Sequence, residues 1–177
     1  MKIKSSYRNW IPRCWVKITG KPITMFPQAT SDPTIAKKQH YATNSPWEEK
    51  IGYYRAVRRG PFIFVSGTTA VDTSSNTTSP KVLHPGDAKA QALIAFGEIV
   101  KAIQALGGQG AKSIVRTKMF VQRQDDCAAV AEAFTEVLGK QNGIDYGTAA
   151  TMVVVGGFVD SDMLVEIECD AMVDEEG

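Results

Sequence analysis

The sequence predicts a two-layer α+β domain, a mixed β-sheet carrying two helices on one face. Three observations support it. Residues 164–171 alternate strictly, with Val165, Ile167, Cys169 and Ala171 on one side and Glu166, Glu168 and Asp170 on the other. A period of two with β-branched residues marks a strand buried on one face only. Two later-described stretches, ending at Leu106 and Leu138, repeat apolar residues every three or four positions, as amphipathic helices do. The order along the chain is β-β-α-β-α-β-β, and one-sided helices bury their stripes best against one face of a sheet.

Tyr53–Val57 and Phe62–Ser66 are β-rich and flank Arg58-Arg59-Gly60-Pro61, whose composition signals a turn, so they read as a hairpin. Residues 72–86 are rich in Ser, Thr, Asn and Pro and read as a solvated loop at a hairpin tip rather than a lid. Asn76-Thr77-Thr78 matches a glycosylation sequon there and reads as polar loop. Asp87 stands as the N-cap of the first helix. Its stripe is Leu93, Phe96, Val100, Ile103 and Leu106, and Gly107-Gly108 ends it. The glycines follow a helix and lack the phosphate-loop spacing, so they serve as a cap and turn. Ser113–Gln122 is a strand, with Val115, Thr117, Met119 and Val121 facing one way and Ile114, Arg116, Lys118 and Phe120 the other. Asp125 or Asp126 caps a second helix whose stripe is Val130, Phe134, Val137 and Leu138, and Gly139 stops it. Residues 140–148 form a loop. The run from Ala149 and the acidic strand close the chain, joined by a turn around Asp160-Ser161-Asp162.

A chain of 177 residues with 44% hydrophobic and 22% charged residues suits one domain with an appendage. The expected division is a basic, irregular extension over 1–44, a domain over 45–174 and a tail over 175–177. Net charge is +1, which argues against a nucleic-acid or membrane partner. Cys14, Cys127 and Cys169 are scattered and odd in number, which fits a reducing compartment rather than a disulfide framework. With only His40 and His84, a histidine metal centre is not expected. No apolar run approaches the ~20 residues of a membrane span. The expected location is cytoplasmic. The alternative is mitochondrial, because Lys2, Lys4, Arg8, Arg13, Lys17 and Lys21 all precede the first acid, Asp32. Prolines 12, 22 and 27 with Gly20 would interrupt a long targeting helix.

With both helices on one face, the other face of the sheet is left bare. Such a face bearing Val, Ile, Phe and carboxylates suits self-association.

The chain resembles the RidA/YjgF family of reactive-intermediate deaminases from about Ser45 to Val173. The resemblance lies in Gly52-Tyr53-Tyr54-Arg55-Ala56-Val57, Phe64-Val65-Ser66-Gly67, Gly86-Asp87-Ala88, Val115-Arg116-Thr117-Lys118-Met119-Phe120-Val121 and Leu164-Val165-Glu166-Ile167-Glu168. It implies a chorismate-mutase-like fold and a homotrimer whose sheets form a central barrel, with ligand clefts between subunits. It also implies cofactor-free, metal-free hydrolysis of enamines or imines. In such deaminases a glutamate positions or activates water, a tyrosine and a serine line the cleft, an arginine grips the substrate carboxylate and an asparagine assists. Carried over by position, these fall on Glu166, Tyr53, Ser66, Ala150 and Ala131. The last two depart from the pattern. Arg116, Arg123 and Arg55 are the candidates to replace the arginine. Thr151, Met152, Arg116 and Phe120 complete the expected substrate-binding set, and Val154 and Phe158 add to its apolar character.

Loss of the bidentate arginine removes an interaction worth about 1.5–3 kcal/mol. The expected substrate is therefore larger and less anionic than 2-aminoacrylate. The leading expectation is hydrolysis or tautomerisation of an enamine, imine or related carbonyl metabolite, with Glu166 as acid/base. A biosynthetic cyclisation or condensation on the same fold, and a non-catalytic trimeric binding protein, are the alternatives. Cys127 and Cys169 read as packing residues, and Trp47 either anchors the first strand or rims the cleft.

Overall fold

The computed structural model describes residues 37–73, 80–140 and 146–174. The expectations for residues 1–36, the sequon at 76–78 and the tail at 175–177 lie outside them. The chain divides after residue 35, and all described residues belong to the second unit. Its elements are β1 (Gln39–Tyr41), α1 (Pro46–Ile51), β2 (Ala56–Arg59), β3 (Phe62–Thr68), α2 (Ala88–Ala105), β4 (Ile114–Val121), α3 (Cys127–Leu138), β5 (Ala149–Val154) and β6 (Val165–Met172). One six-stranded sheet runs β1-β2-β3-β6-β4-β5. Only β4 and β5 are parallel, as their helical crossover demands. Neither α2 nor any other described helix is long and apolar enough to cross a membrane.

Two elements escaped the sequence reading. β1 is a three-residue edge strand within the stretch expected to be irregular, and α1 is a six-residue helix. Both are too short to show a period. Pro46 opens α1 and Gly52, at φ 85°, closes it in the left-handed region. That turn keeps Tyr53 out of the sheet, so β2 starts at Ala56 rather than at Tyr53. The turn before β3 is the expected one, with Gly60 at φ 59°.

α2 forms as read. The Asp87 carboxylate accepts the Ala90 N–H at 3.0 Å. At its other end Gly107, at φ 88°, and Gly108 donate to the Gln104 and Ile103 carbonyls, a Schellman closure. Its buried face is shifted from the expected stripe: Ala92, Ala95, Phe96, Ile99, Ala102 and Ile103 are fully buried, while Leu93 and Val100 are only partly so. The start of α3 differs from expectation. Asp126 sits at the N-cap but makes no capping hydrogen bond. Its carboxylate accepts instead from the Arg123 guanidinium at 2.6 and 3.0 Å.

Both helices join one hydrophobic core with the inward residues of the sheet, Ile63 and Val65 of β3, Met119 and Val121 of β4, and Val165, Ile167, Cys169 and Ala171 of β6. Phe96 of α2 meets Phe134 of α3 with ring centroids 6.3 Å apart. β4 corrects its predicted alternation at one end. A register shift between Ile114 and Arg116 turns Ile114 inward and leaves Val115 exposed.

Among the described residues the opposite face carries no layer. Phe62 and Phe64 stand half exposed on β3 with stacked rings 6.4 Å apart. Beside them two cross-strand ion pairs tie β4 to β6, Arg116 to Asp170 and Lys118 to Glu168, the latter at 3.1 Å.

Candidate functional site

The acidic side of β6 holds three chemically different carboxylates. Asp170 and Glu168 each have a cation from β4. Glu166 has none at ion-pair distance among the described residues, and its strand partner across β4 is Phe120. Its side chain turns toward β3, where one extra residue bulges the strand between Val65 and Thr68. Gly67 in that bulge has no side chain, and a Cβ there would overlap Glu166 Oε1. The glycine after the apolar strand is thus the space into which the carboxylate fits.

The bulge is fixed from behind by a buried ion pair. Arg55, just before β2, donates from Nη1 to the Gly67 carbonyl at 2.8 Å and to Thr68 Oγ1 at 3.0 Å. Its Nη2 lies 3.1 Å from Glu48 Oε1 of α1, and its Nε donates to the same oxygen at 3.2 Å. Glu48 also accepts from the Thr43 backbone and hydroxyl at 2.7 and 2.8 Å. Glu48 and Arg55 are both buried, and every polar atom of the group is matched, as a buried pair requires.

Glu166 lines a cavity of about 480 Å³ together with Tyr53, Arg55, Thr68, Trp47 and Met163. Ile51, Val71 and Val159 make the rest of its apolar wall. A more open concavity of about 580 Å³ along residues 42–54 shares Thr43, Ser45 and Tyr53 but excludes Glu166. The wall bearing Asp160 and Met163 is tied to α2 by buried Gln91. Its Nε2 donates to the Asp162 carbonyl at 2.8 Å and its Oε1 accepts the Leu164 N–H at 2.9 Å. At the base of the polar loop Val71 and Val82 form an antiparallel bridge, and Thr73 and Pro80 line the cavity.

Burial first, and then the like charge of Glu168, push the Glu166 carboxyl above its ordinary 4.5, while Arg55 opposes them. A carboxyl so placed can hold a proton nearer neutrality and pass it to or from a bound molecule. Cys169 is the opposite case. Burial pushes its thiol up to about 12, and it faces the core beside Thr117, as read.

The structure therefore brings Glu166 and Tyr53 together, and adds Arg55 and Trp47 to them. Ser66 is not a lining residue, and its hydroxyl donates to the Tyr54 carbonyl at 2.8 Å. Ala150, Thr151 and Met152 lie on β5, two strands from β6 across β4. Ala131 is exposed on α3, and Arg116 and Phe120 lie on the uncovered side of β4. None of these six lines the cavity of this chain. All three candidate arginines have carboxylate partners: Arg55 with Glu48, Arg116 with Asp170 and Arg123 with Asp126. Glu48 was missed, because it stands beside Glu49 in a short Pro-to-Gly segment and nothing in the sequence tells the two acids apart. Among the described residues no group of three or more His, Cys, Asp or Glu could hold a metal ion.

The sequence profile of the family described as Endoribonuclease L-PSP matches residues 44–173. An uncharacterized protein of Streptomyces coelicolor is 35% identical over 129 residues, which cover 73% of this chain and 87% of that protein. A crystal structure from Mycobacterium tuberculosis, described as a member of the YjgF/YER057c/UK114 family, aligns with a TM-score of 0.64 at 29% identity. It covers 77% of this chain and 100% of its own. A Yersinia pestis protein described as of the conserved Rid family shares the fold, with a TM-score of 0.63 at 22% identity over 77% of this chain and 100% of its own.

Proposed function

The chain belongs to the endoribonuclease L-PSP family, the RidA/YjgF group, and on that premise we propose that it is a small-molecule enzyme acting at a C=N or C–N bond. The observation that carries the reading is the half-buried Glu166 carboxyl in the cavity wall, raised in pKa, unpaired by any lysine and seated against Gly67. Glu166 takes a proton from water as its oxygen bonds the imine carbon, then delivers a proton to the departing nitrogen. Tyr53 offers a hydroxyl to the same space. Ser66 acts by holding the bulge rather than by touching substrate. No cofactor is needed for this sequence of proton transfers.

The working form is a homotrimer in which uncovered faces meet as a barrel. In it Ala150, Thr151 and Met152 of β5, with Arg116, Phe120 and Ala131, reach the cleft of a neighbouring copy. The functional domain is residues 45–174 with β1 (Gln39–Tyr41) completing its sheet, and the compartment is cytoplasmic. A ligand less anionic than 2-aminoacrylate is favoured because Ala150 offers no guanidinium and the three candidate arginines are paired. The same acidic lining disfavours a phosphate backbone, so a small molecule is the better substrate than RNA.

Ammonia release from freshly generated imines tests the proposal. Bulky imines without a carboxylate are expected to turn over at least about tenfold faster than 2-aminoacrylate, the factor a missing charge-assisted pair predicts. Glu166→Gln is expected to lose about a hundredfold or more. Full activity in that variant would refute the acid/base role. A metabolite held unchanged and stoichiometrically in native mass spectrometry would instead favour a binding protein.

A further inference from the structure

The charge balance of the cavity at Glu166 goes further than the loss of one arginine. Its lining holds three carboxylates, Glu98, Asp160 and Glu166, and one cation, Arg55. Arg55 is already neutralised by Glu48, and Glu98 by Lys101 at 2.6 Å. Glu166 and Asp160 are left without an ion pair among the described residues. Asp160 uses Oδ1 only to accept the Asp162 N–H at 2.9 Å. Lys50 does not line the cavity, and its Nζ lies over the Trp47 ring at 5.2 Å. A carboxylate-bearing ligand entering here would lose hydration and meet two negative groups with no unpaired cation to receive it. A cation would instead be attracted, since both unpaired carboxylates line the same cavity. The rest of the wall is apolar and, at its rim, exposed. Trp47 is 41% exposed and Ile51 69%.

We propose that the ligand of this cavity is a carboxylate-free iminium or primary ammonium group on an apolar arm, with the cation at Glu166 and Asp160 and the arm along Trp47 and Ile51. This rests on the catalytic reading above and names its substrate class. The reaction is RCH=NH2+ plus H2O giving RCHO plus NH4+. The water oxygen bonds the carbon, the C–N bond breaks, and the nitrogen leaves with the protons that Glu166 relays. Oxidation of a primary amine must then supply the substrate, and a step that oxidises or reduces an aldehyde must remove the product.

Binding measured by titration calorimetry on the full chain separates this from the catalytic proposal, because no turnover is required. Phenethylammonium and phenylacetate share an arm and differ in charge. Phenethylammonium is expected to bind at least about tenfold more tightly, the effect of about one favourable charge contact. Asp160→Asn and Glu166→Gln should each narrow that ratio. Asp160→Asn keeps the loop hydrogen bond, so loss of the ratio there is not loss of fold. Trp47→Ala should weaken phenethylammonium severalfold and leave methylammonium unchanged. Equal affinities, a preference for phenylacetate, or binding of neither would overturn the inference. Charge preference without any imine turnover would sink the catalytic reading alone, and turnover with a preference for anions would sink this one alone.

Discussion

Glu166 and Gly67 form one unit although ninety-odd positions of sequence separate them. The carboxylate occupies the volume that any side chain at 67 would fill. Gly67→Ala is expected to displace Glu166, costing about 1–3 kcal/mol by overpacking, together with most of the activity. Combining it with Glu166→Gly should restore stability but not activity, which thermal melts and the ammonia assay distinguish. The raised pKa of Glu166 also has a sign for stability. The folded state binds its proton more tightly than the unfolded chain does, so ionisation opposes folding. That penalty is absent below the ordinary 4.5 and grows as pH rises through the folded value. Glu166→Gln should therefore match the parent in Tm near about pH 4 and exceed it near about pH 7. The sequence singled out Glu166 by its alternation and by family likeness. It could not show that Ser66 spends its hydroxyl on the Tyr54 carbonyl, because that bond exists only once β3 lies beside the segment after α1.

At the scale of elements, α1 is held to the sheet through Glu48 and Arg55, the buried pair beneath the β3 bulge. Removing one partner leaves a buried charge alone, and Glu48→Ala or Arg55→Ala should each cost about 3–5 kcal/mol. Replacing both by leucine should cost clearly less, since no charge is then stranded. Denaturant midpoints of the four proteins check this. α2 was legible to its caps, because Asp87 and Gly107-Gly108 act through local hydrogen bonds that neighbouring residues specify. The start of α3 was not. Asp126 has two uses open to it, and Arg123 at 2.6 Å wins over the helix amides. β1 and α1 were hidden for a simpler reason. Three and six residues are fewer than a period needs to declare itself.

The described residues bury one face of the sheet and leave the other to Phe62, Phe64 and two cross-strand ion pairs. Exposed stacked aromatics beside neutralised charges suit contact with another copy of the chain. Phe62→Lys with Phe64→Asp should leave the fold intact and shift sedimentation from the assembled form to the monomer. An unchanged sedimentation coefficient would count against the trimer. By itself the sequence determined the layering. The two-residue and three-to-four-residue periods state which side of each element meets the core, and burying those sides admits one sheet with helices on a single face. The tertiary structure alone decided the site. Which strands adjoin, where β3 bulges, and which carboxylate claims Arg116 are long-range matters. Arg55, Arg116 and Arg123 are equivalent donors in the sequence, and only folding assigns them to Glu48, Asp170 and Asp126, leaving Glu166 without an ion pair.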